Sequence, residues 1–173
     1  MYIVQRLIAE LTSSLKVERS NCILAGSSKG GFTALYHGYQ FGARYILPDK
    51  PQVLFGNYLN SRSEESVHPS ILTHIAGGLD GESVAWANRI LQEVILSATA
   101  PFPHTEIHVG YREPHYHKHV LPVLKLVDKA KVPNAAVDLD DYSMHAELAT
   151  HYPLFLRDQV KPIVLGLKYS TPC

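Results

Sequence analysis

Little in this sequence points to a specialised environment. Only two cysteines occur in 173 residues, Cys173 as the last residue and Cys22 in an expected buried strand. That is no disulfide framework, and the reading is a reduced, cytoplasmic protein. Charge of neither sign dominates: Lys plus Arg and Asp plus Glu number 16 each, and no like-charge run exceeds a pair. This excludes a dedicated nucleic-acid or anionic-membrane surface. No apolar run approaches the roughly 20 residues of a membrane-spanning helix. The opening MYIVQRLIAEL lacks the basic-then-apolar order of a signal peptide. Repeats, linkers and low-complexity segments are also missing. The length suits one domain over residues 1–173 and is too short for two.

What is present is strand–helix alternation. Ile3, Leu7, Leu11 and Leu15 recur every fourth residue, which predicts an amphipathic helix from about Tyr2 to Lys16. A short apolar strand is expected over Asn21 to Ala25, then a helix from Gly30 to Phe41 with Gly42 as its left-handed cap. Arg44 to Leu47 reads as a second strand closed by Pro48. The segment Gln52 to Gly81 reads as irregular, long enough for a lid or acceptor site that includes Phe55 and Tyr58. Asp80 caps a helix reaching about Ala98, and APFP ends it. Strands at Glu106 to Val109 and Ala135 to Leu139 flank a helix near Leu121 to Ala130. The last helix spans Ala146 to Val160, interrupted at Pro153. The pattern predicts an α/β fold, a three-layer sandwich around a mainly parallel sheet of about four strands.

NCILAGSSKGGF, Asn21 to Phe32, carries the chemistry. It fails as a phosphate loop, since Lys29 precedes the later glycines, and as a dinucleotide fingerprint, since Ser28 replaces the second glycine. Gly26-Ser27-Ser28-Lys29-Gly30 instead matches G-x-S-x-G at a strand-to-helix junction. Such a sharp turn strains the serine backbone and leaves no room for bulk two positions away. It also places the hydroxyl at a helix N-terminus, where the Lys29 N–H favours a developing oxyanion. A plain glycine-rich turn with an incidental serine is the alternative.

A nucleophile needs a base and an orienting acid, each expected after a later strand. Glu113 follows TEIHVG, and His145 follows AAVDLDD. Ser28, Glu113 and His145 are therefore the candidate triad. His151 is a weaker base, inside the last helix, and Asp138, Asp140 and Asp141 are acids out of the usual order. His115, His117 and His119 would share a face of an extended segment, but no ligand beyond Glu113 completes a zinc set, so neither metal nor cofactor is expected. Ser27, Tyr58, Tyr111 and His115 are candidate substrate contacts.

GSSKGGFTALYHGYQFGARYI resembles the α/β-hydrolase-like domain of XcbB/CpsF-type capsular polysaccharide biosynthesis proteins. More distantly it is similar to the acyltransferase-like component of the accessory secretion system for glycosylated adhesins. PQVLFGNYL, IAGG and HAELATHYPLFL extend the resemblance over most of the chain. It implies the same roles for Ser28, Glu113 and His145, and an ester or glycan substrate at the cell surface, acylated or deacylated. In a full α/β-hydrolase several strands precede the nucleophile strand and supply a second oxyanion N–H; here one helix does. The chain therefore reads as a truncated α/β-hydrolase-like fold, the C-terminal part of a longer protein or a homo-oligomer, with something covering the strand Asn21 to Ala25. Rival readings are a non-catalytic partner in a polysaccharide biosynthesis or export complex and a general small-ester hydrolase.

Overall fold

The computed structural model describes residues 2–61 and 67–166. Cys173 and the polar residues at 62–66 within the expected lid lie outside them. Four strands form one parallel sheet in sequence order: β1 (Ile23–Ser27), β2 (Tyr45–Asp49), β3 (His104–Gly110) and β4 (Ala135–Asp140). The helices are α1 (Tyr2–Ser14), α2 (Lys29–Phe41), α3 (Phe55–Asn60), α4 (Val67–Ala76), α5 (Gly81–Leu96), α6 (Leu121–Lys129) and α7 (Leu148–Val164).

Side chains alternate across the sheet with the two-residue strand period, which separates two cores. Leu24, Ile46, Ile107 and Val109 meet α2, α5 and α6 on one face, where Leu35, Leu91 and Val123 are fully buried. Ile23 and Leu47 meet Tyr152 and Phe155 of α7 on the other. Both faces of the sheet are thus covered, as a parallel sheet requires. Among the described residues no helix is long and apolar enough to cross a membrane.

Several boundaries differ from the sequence reading. β1 starts two residues late, because Arg19–Asn21 form a 3-10 turn, so Cys22 is half-buried ahead of the strand. Pro48 does not end β2 but lies inside it. The β2–β3 register pairs Tyr45, Ile46 and Asp49 while passing over Leu47 and Pro48, so the missing proline N–H is absorbed by one gap. The expected irregular segment is largely helical, holding α3 and α4 around buried Leu59 and Leu72. Residues Tyr116–Val120 form a π-helical turn rather than an extended segment, so the alternate histidines do not share a strand face. α7 continues through Pro153 and Pro162. As expected, Asp80 caps α5 by accepting from the Glu82 and Ser83 N–H groups at 2.9 Å each, and Gly42 caps α2 at φ 72°.

β1 is an edge strand, paired with β2 alone among the described residues. The apolar stripe on α1 buries nothing: Ile3 is 80% and Leu7 53% exposed. Gln5 ties α1 to α2 through His37 Nδ1 at 2.8 Å.

Candidate active site

The turn between β1 and α2 is tight for a reason that the glycines reveal. A Cβ on Gly26 would lie 2.4 Å from the Gly30 carbonyl oxygen, and one on Gly31 would lie 2.7 Å from the Asp49 backbone carbonyl oxygen. A Cβ on Gly30 itself would meet nothing within 4 Å. The sequence reading that Gly30 must lack bulk is thereby corrected: its backbone must stand close to Gly26, but its own side is open. Gly30→Ala should therefore hold or raise thermal stability, by up to about 1 kcal/mol in a helix. Gly26→Ala should lose about 1–3 kcal/mol through backbone overlap. Paired thermal unfolding curves check both.

Ser28 sits at φ 54° and ψ −116°, a conformation that side chains rarely adopt. Such backbone strain amounts to about 1–3 kcal/mol. Its N–H donates to the Asp49 carbonyl at 2.9 Å, which holds the turn against β2. Lys29 begins α2 with an exposed side chain, so its N–H is one of the first-turn amides with no intrahelical acceptor.

The loops after β3 and β4 converge on this serine. His145, in the 3-10 turn His145–Glu147, brings Nε2 to 3.2 Å from Ser28 Oγ. Its Nδ1 is 3.3 Å from Glu113 Oε1, and Glu113 is 1% exposed. Three residues more than a hundred positions apart at the extremes are therefore within hydrogen-bond distance in a chain Ser28–His145–Glu113. Glu147 fixes the turn by accepting from the Met144 and Ser143 N–H groups at 2.7 and 3.1 Å.

His115 occupies a different place from the one expected of a substrate contact alone. Its ring Nδ1 and its backbone N–H each lie 2.7 Å from the Glu113 carboxylate. Burial by itself would push the Glu113 carboxyl up, but the His115 bonds and the weaker one to His145 outweigh it and hold it below its usual range. His145 is held below the ordinary histidine value, first by burial, then by the charges of His115 and Lys50, against the pull of Glu113. His119 is pushed down to about 4 by burial, and its Nδ1 accepts the Leu54 N–H at 3.1 Å. It ties the π-helical turn to the start of α3. The ligating atoms of Glu113, His115 and His145 lie within 4.8 Å of one another, a spacing that a cation would accept. Each of the three is also engaged by hydrogen bonds within the set, the competing use of the same atoms.

A cleft of about 810 Å³ opens beside His145, lined by Tyr58, Asn57, His115, Lys118, His119 and Met144 among others. Tyr58 and His115 line it. Ser27 and Tyr111 do not: Ser27 ends β1 opposite Asp49, and Tyr111 is 46% exposed beneath the Arg112 guanidinium. Arg112 in turn pairs with Asp141. His151 bonds Asp140 at 2.6 Å and takes no part in the cleft. A second cleft, about 800 Å³, lies around Arg44, Phe41 and Phe102 and contains none of Ser28, Glu113 and His145.

The sequence matches no protein-family model and no curated protein sequence. Solved structures do match. The capsule O-acetyltransferase of Neisseria meningitidis serogroup A superposes with a TM-score of 0.77 at 19% identity, over 91% of this chain and 63% of that one. The Glycosylation Associate Protein (Gap123) complex from Streptococcus agalactiae gives 0.78 at 16% identity, over 94% and 32%. A putative esterase from Staphylococcus aureus gives 0.53 at 15% identity, over 98% and 59%. The fold is α/β-hydrolase-like. This α/β-hydrolase-like chain spans less than two thirds of the length of each of these structures.

Sequence reasoning missed the side chains that brace the candidate site from below: Asp49, Lys50 and Tyr142, all buried. A signal existed. Asp49-Lys50 stands at the C-terminal end of a parallel strand, the end where open α/β sheets bind ligands.

Proposed function

We propose that this chain is a serine-based acyl-transfer domain, with Ser28 as nucleophile, His145 as general base and Glu113 as the acid that holds the imidazole. The observation that carries this reading is the Ser28 Oγ–His145 Nε2 approach of 3.2 Å, backed by a buried carboxylate on the far nitrogen. His145 takes the hydroxyl proton, Oγ attacks the ester or thioester carbonyl, and the Lys29 N–H donates to the oxyanion. The imidazolium then protonates the leaving group, and water or a sugar hydroxyl releases the acyl group. Residues 1–173 act as one domain. The reaction makes or breaks an ester linked to a capsular or cell-surface glycan, handled in the cytoplasm. Similarity to an O-acetyltransferase that has also been solved in complex with CoA supports a CoA thioester as acyl donor. That Tyr58 and His115 line the cleft supports a role for them in stacking on or bonding to the acceptor.

The test is incubation with acetyl-CoA, with and without a capsular oligosaccharide. Acetyl transfer to the sugar supports the reading; acetyl loss that ignores the sugar supports a small-ester hydrolase instead.

The pH dependence has a definite sign. The imidazole works as a base only when neutral, and its folded pKa lies below 6.5. Activity therefore persists as pH falls to 6.5 and is lost only on passing through that lower value. A pH profile of kcat/KM with its acid limb below pH 6.5 is the expected result.

The similarity to a component of the Gap123 complex favours one further reading, a non-catalytic partner in glycan assembly. It goes with the open β1 edge, which we propose is covered by a second copy or by preceding polypeptide. Sedimentation of the 173-residue chain at micromolar concentration as a dimer or larger supports the second copy.

A further inference from the structure

Lys50 takes no part in the reaction as written, yet it is completely buried at the floor of the site, just past the end of β2. Lysines are almost never fully buried without a partner, because taking an ammonium group out of water carries a large free-energy cost. Among the described residues no carboxylate forms an ion pair with it. Its Nζ instead donates to the His145 carbonyl oxygen at 3.0 Å and lies 4.4 Å from the centre of the Tyr142 ring. The backbone is committed as well: φ is +32°, and the N–H donates to the His108 carbonyl at 2.8 Å.

Tyr142 is equally fixed. It is 1% exposed, its hydroxyl donates to Asp49 Oδ1 at 3.1 Å, and Gly110 lies so close that a Cβ there would be 2.4 Å from the Tyr142 backbone carbonyl oxygen and 2.5 Å from its ring. Asp49, fully buried, accepts the Ser28 N–H on its carbonyl oxygen, and burial pushes its carboxyl up to about 6. Two adjacent residues thus hold the two reacting side chains. Asp49 holds the backbone of Ser28, and Lys50 holds the backbone of His145.

We propose that Lys50 is a positioning residue for the acyl-transfer reaction: its buried ammonium group, braced by Tyr142, grips the His145 carbonyl and so sets the height of the imidazole over Ser28. The inference rests on the Ser28–His145–Glu113 reading given above. An electrostatic consequence accompanies the mechanical one. The charged and titratable groups around His145 include Glu113, His115, Lys118 and His119 from the segment after β3, Tyr58 from α3, Lys50 from the end of β2, and Glu147 in its own turn. Of these Lys50, its own pKa drawn below the ordinary lysine value by burial against the pull of Asp49, Glu113 and Glu147, is the cation whose charge opposes protonation of the imidazole.

The experiment compares Lys50→Met, which removes donor and charge at similar length, with Lys50→Gln, which removes the charge and keeps an N–H donor. Turnover of a small acetyl ester is measured from pH 4 to 9, with thermal unfolding to confirm that each variant is folded. Lys50→Met should lower kcat about 100-fold, the scale of an ångström-sized misplacement of a reacting group, with KM little changed. Lys50→Gln should recover most of that loss. Both should move the acid limb of kcat/KM to higher pH, because the cation that opposes His145 protonation is gone. A merely structural lysine would lower the melting temperature and leave kcat of the folded protein and the acid limb where they were; that result overturns the proposal. If Lys50→Met does not fold, Lys50→Gln decides through the acid limb alone. The wild type supplies a check that needs no variant: a slowly exchanging lysine ammonium signal in the nitrogen–proton spectrum is expected, and its absence overturns the buried contact. Ser28→Ala and His145→Ala run alongside. Activity surviving in either sinks the reaction itself, whereas activity lost in both with Lys50→Met unaffected sinks only the role of Lys50.

Discussion

Ser28→Ala should lower kcat/KM for an acetyl ester by about 10,000-fold or more, and His145→Ala by a similar factor, with the double variant no worse than the poorer single. The non-additivity is the informative part. If Oγ attacks only while Nε2 removes its proton across the 3.2 Å contact, removing either partner removes the whole step. What survives is binding together with the Lys29 N–H. The alanine at position 28 inherits the φ of 54°, since the turn is set by Gly26, Gly31 and the Asp49 bond rather than by the hydroxyl. Thermal stability should therefore barely change, and a loss of activity cannot be charged to misfolding. Steady-state kinetics on the three variants, with melting curves, check the expectation.

The second large effect is expected of Glu113→Gln, also about 10,000-fold in kcat. The carboxylate faces His145 Nδ1 at 3.3 Å and is shared with His115 Nδ1 at 2.7 Å. An amide offers an oxygen or an NH2 group at each position but no charge. It cannot stabilise the imidazolium that forms as Ser28 is deprotonated, and with its NH2 toward Nδ1 it selects the wrong tautomer. The buried site makes the loss of charge more severe than it would be at a surface. Because Glu113 is one of the influences that raise the His145 pKa, its removal should shift the acid limb of the residual activity further down. A lowered kcat with an unmoved or raised limb would show that Glu113 serves His115 rather than His145.

Much of this site was legible because its parts stand at strand ends. Ser28 follows β1, Glu113 follows β3 and His145 follows β4. Apolar runs with flanking polar residues locate those ends even when the boundaries slip by two residues. The four-stranded parallel sheet was legible from the same alternation. What escaped was context carried by packing. Pro48 reads as a terminator by local rules, yet the register on either side of it is fixed, so β2 continues and brings Asp49 and Lys50 beneath the site. A lysine in sequence reads as surface; in the fold the His145 carbonyl, the Tyr142 ring and the nearby charges of Asp49, Glu113 and Glu147 receive it. The 52–81 segment looked irregular because Gly56, Pro69 and the polar run break its periodicity. α3 and α4 nevertheless form, where Leu59, Leu72 and Ala87 have one another to pack against. Tyr111, one residue past the end of β3, is half-exposed under Arg112 and is not among the residues lining the cleft, a placement that only the packing reveals.

The most direct test of the central claim, an activated Ser28, is covalent labelling with a fluorophosphonate probe read by intact mass. Wild type should gain one adduct, mapped to the peptide containing Ser28, and both Ser28→Ala and His145→Ala should gain none. Wild type that stays unlabelled, or His145→Ala that labels as fast as wild type, would contradict the account, because the imidazole at 3.2 Å would then not be activating the hydroxyl.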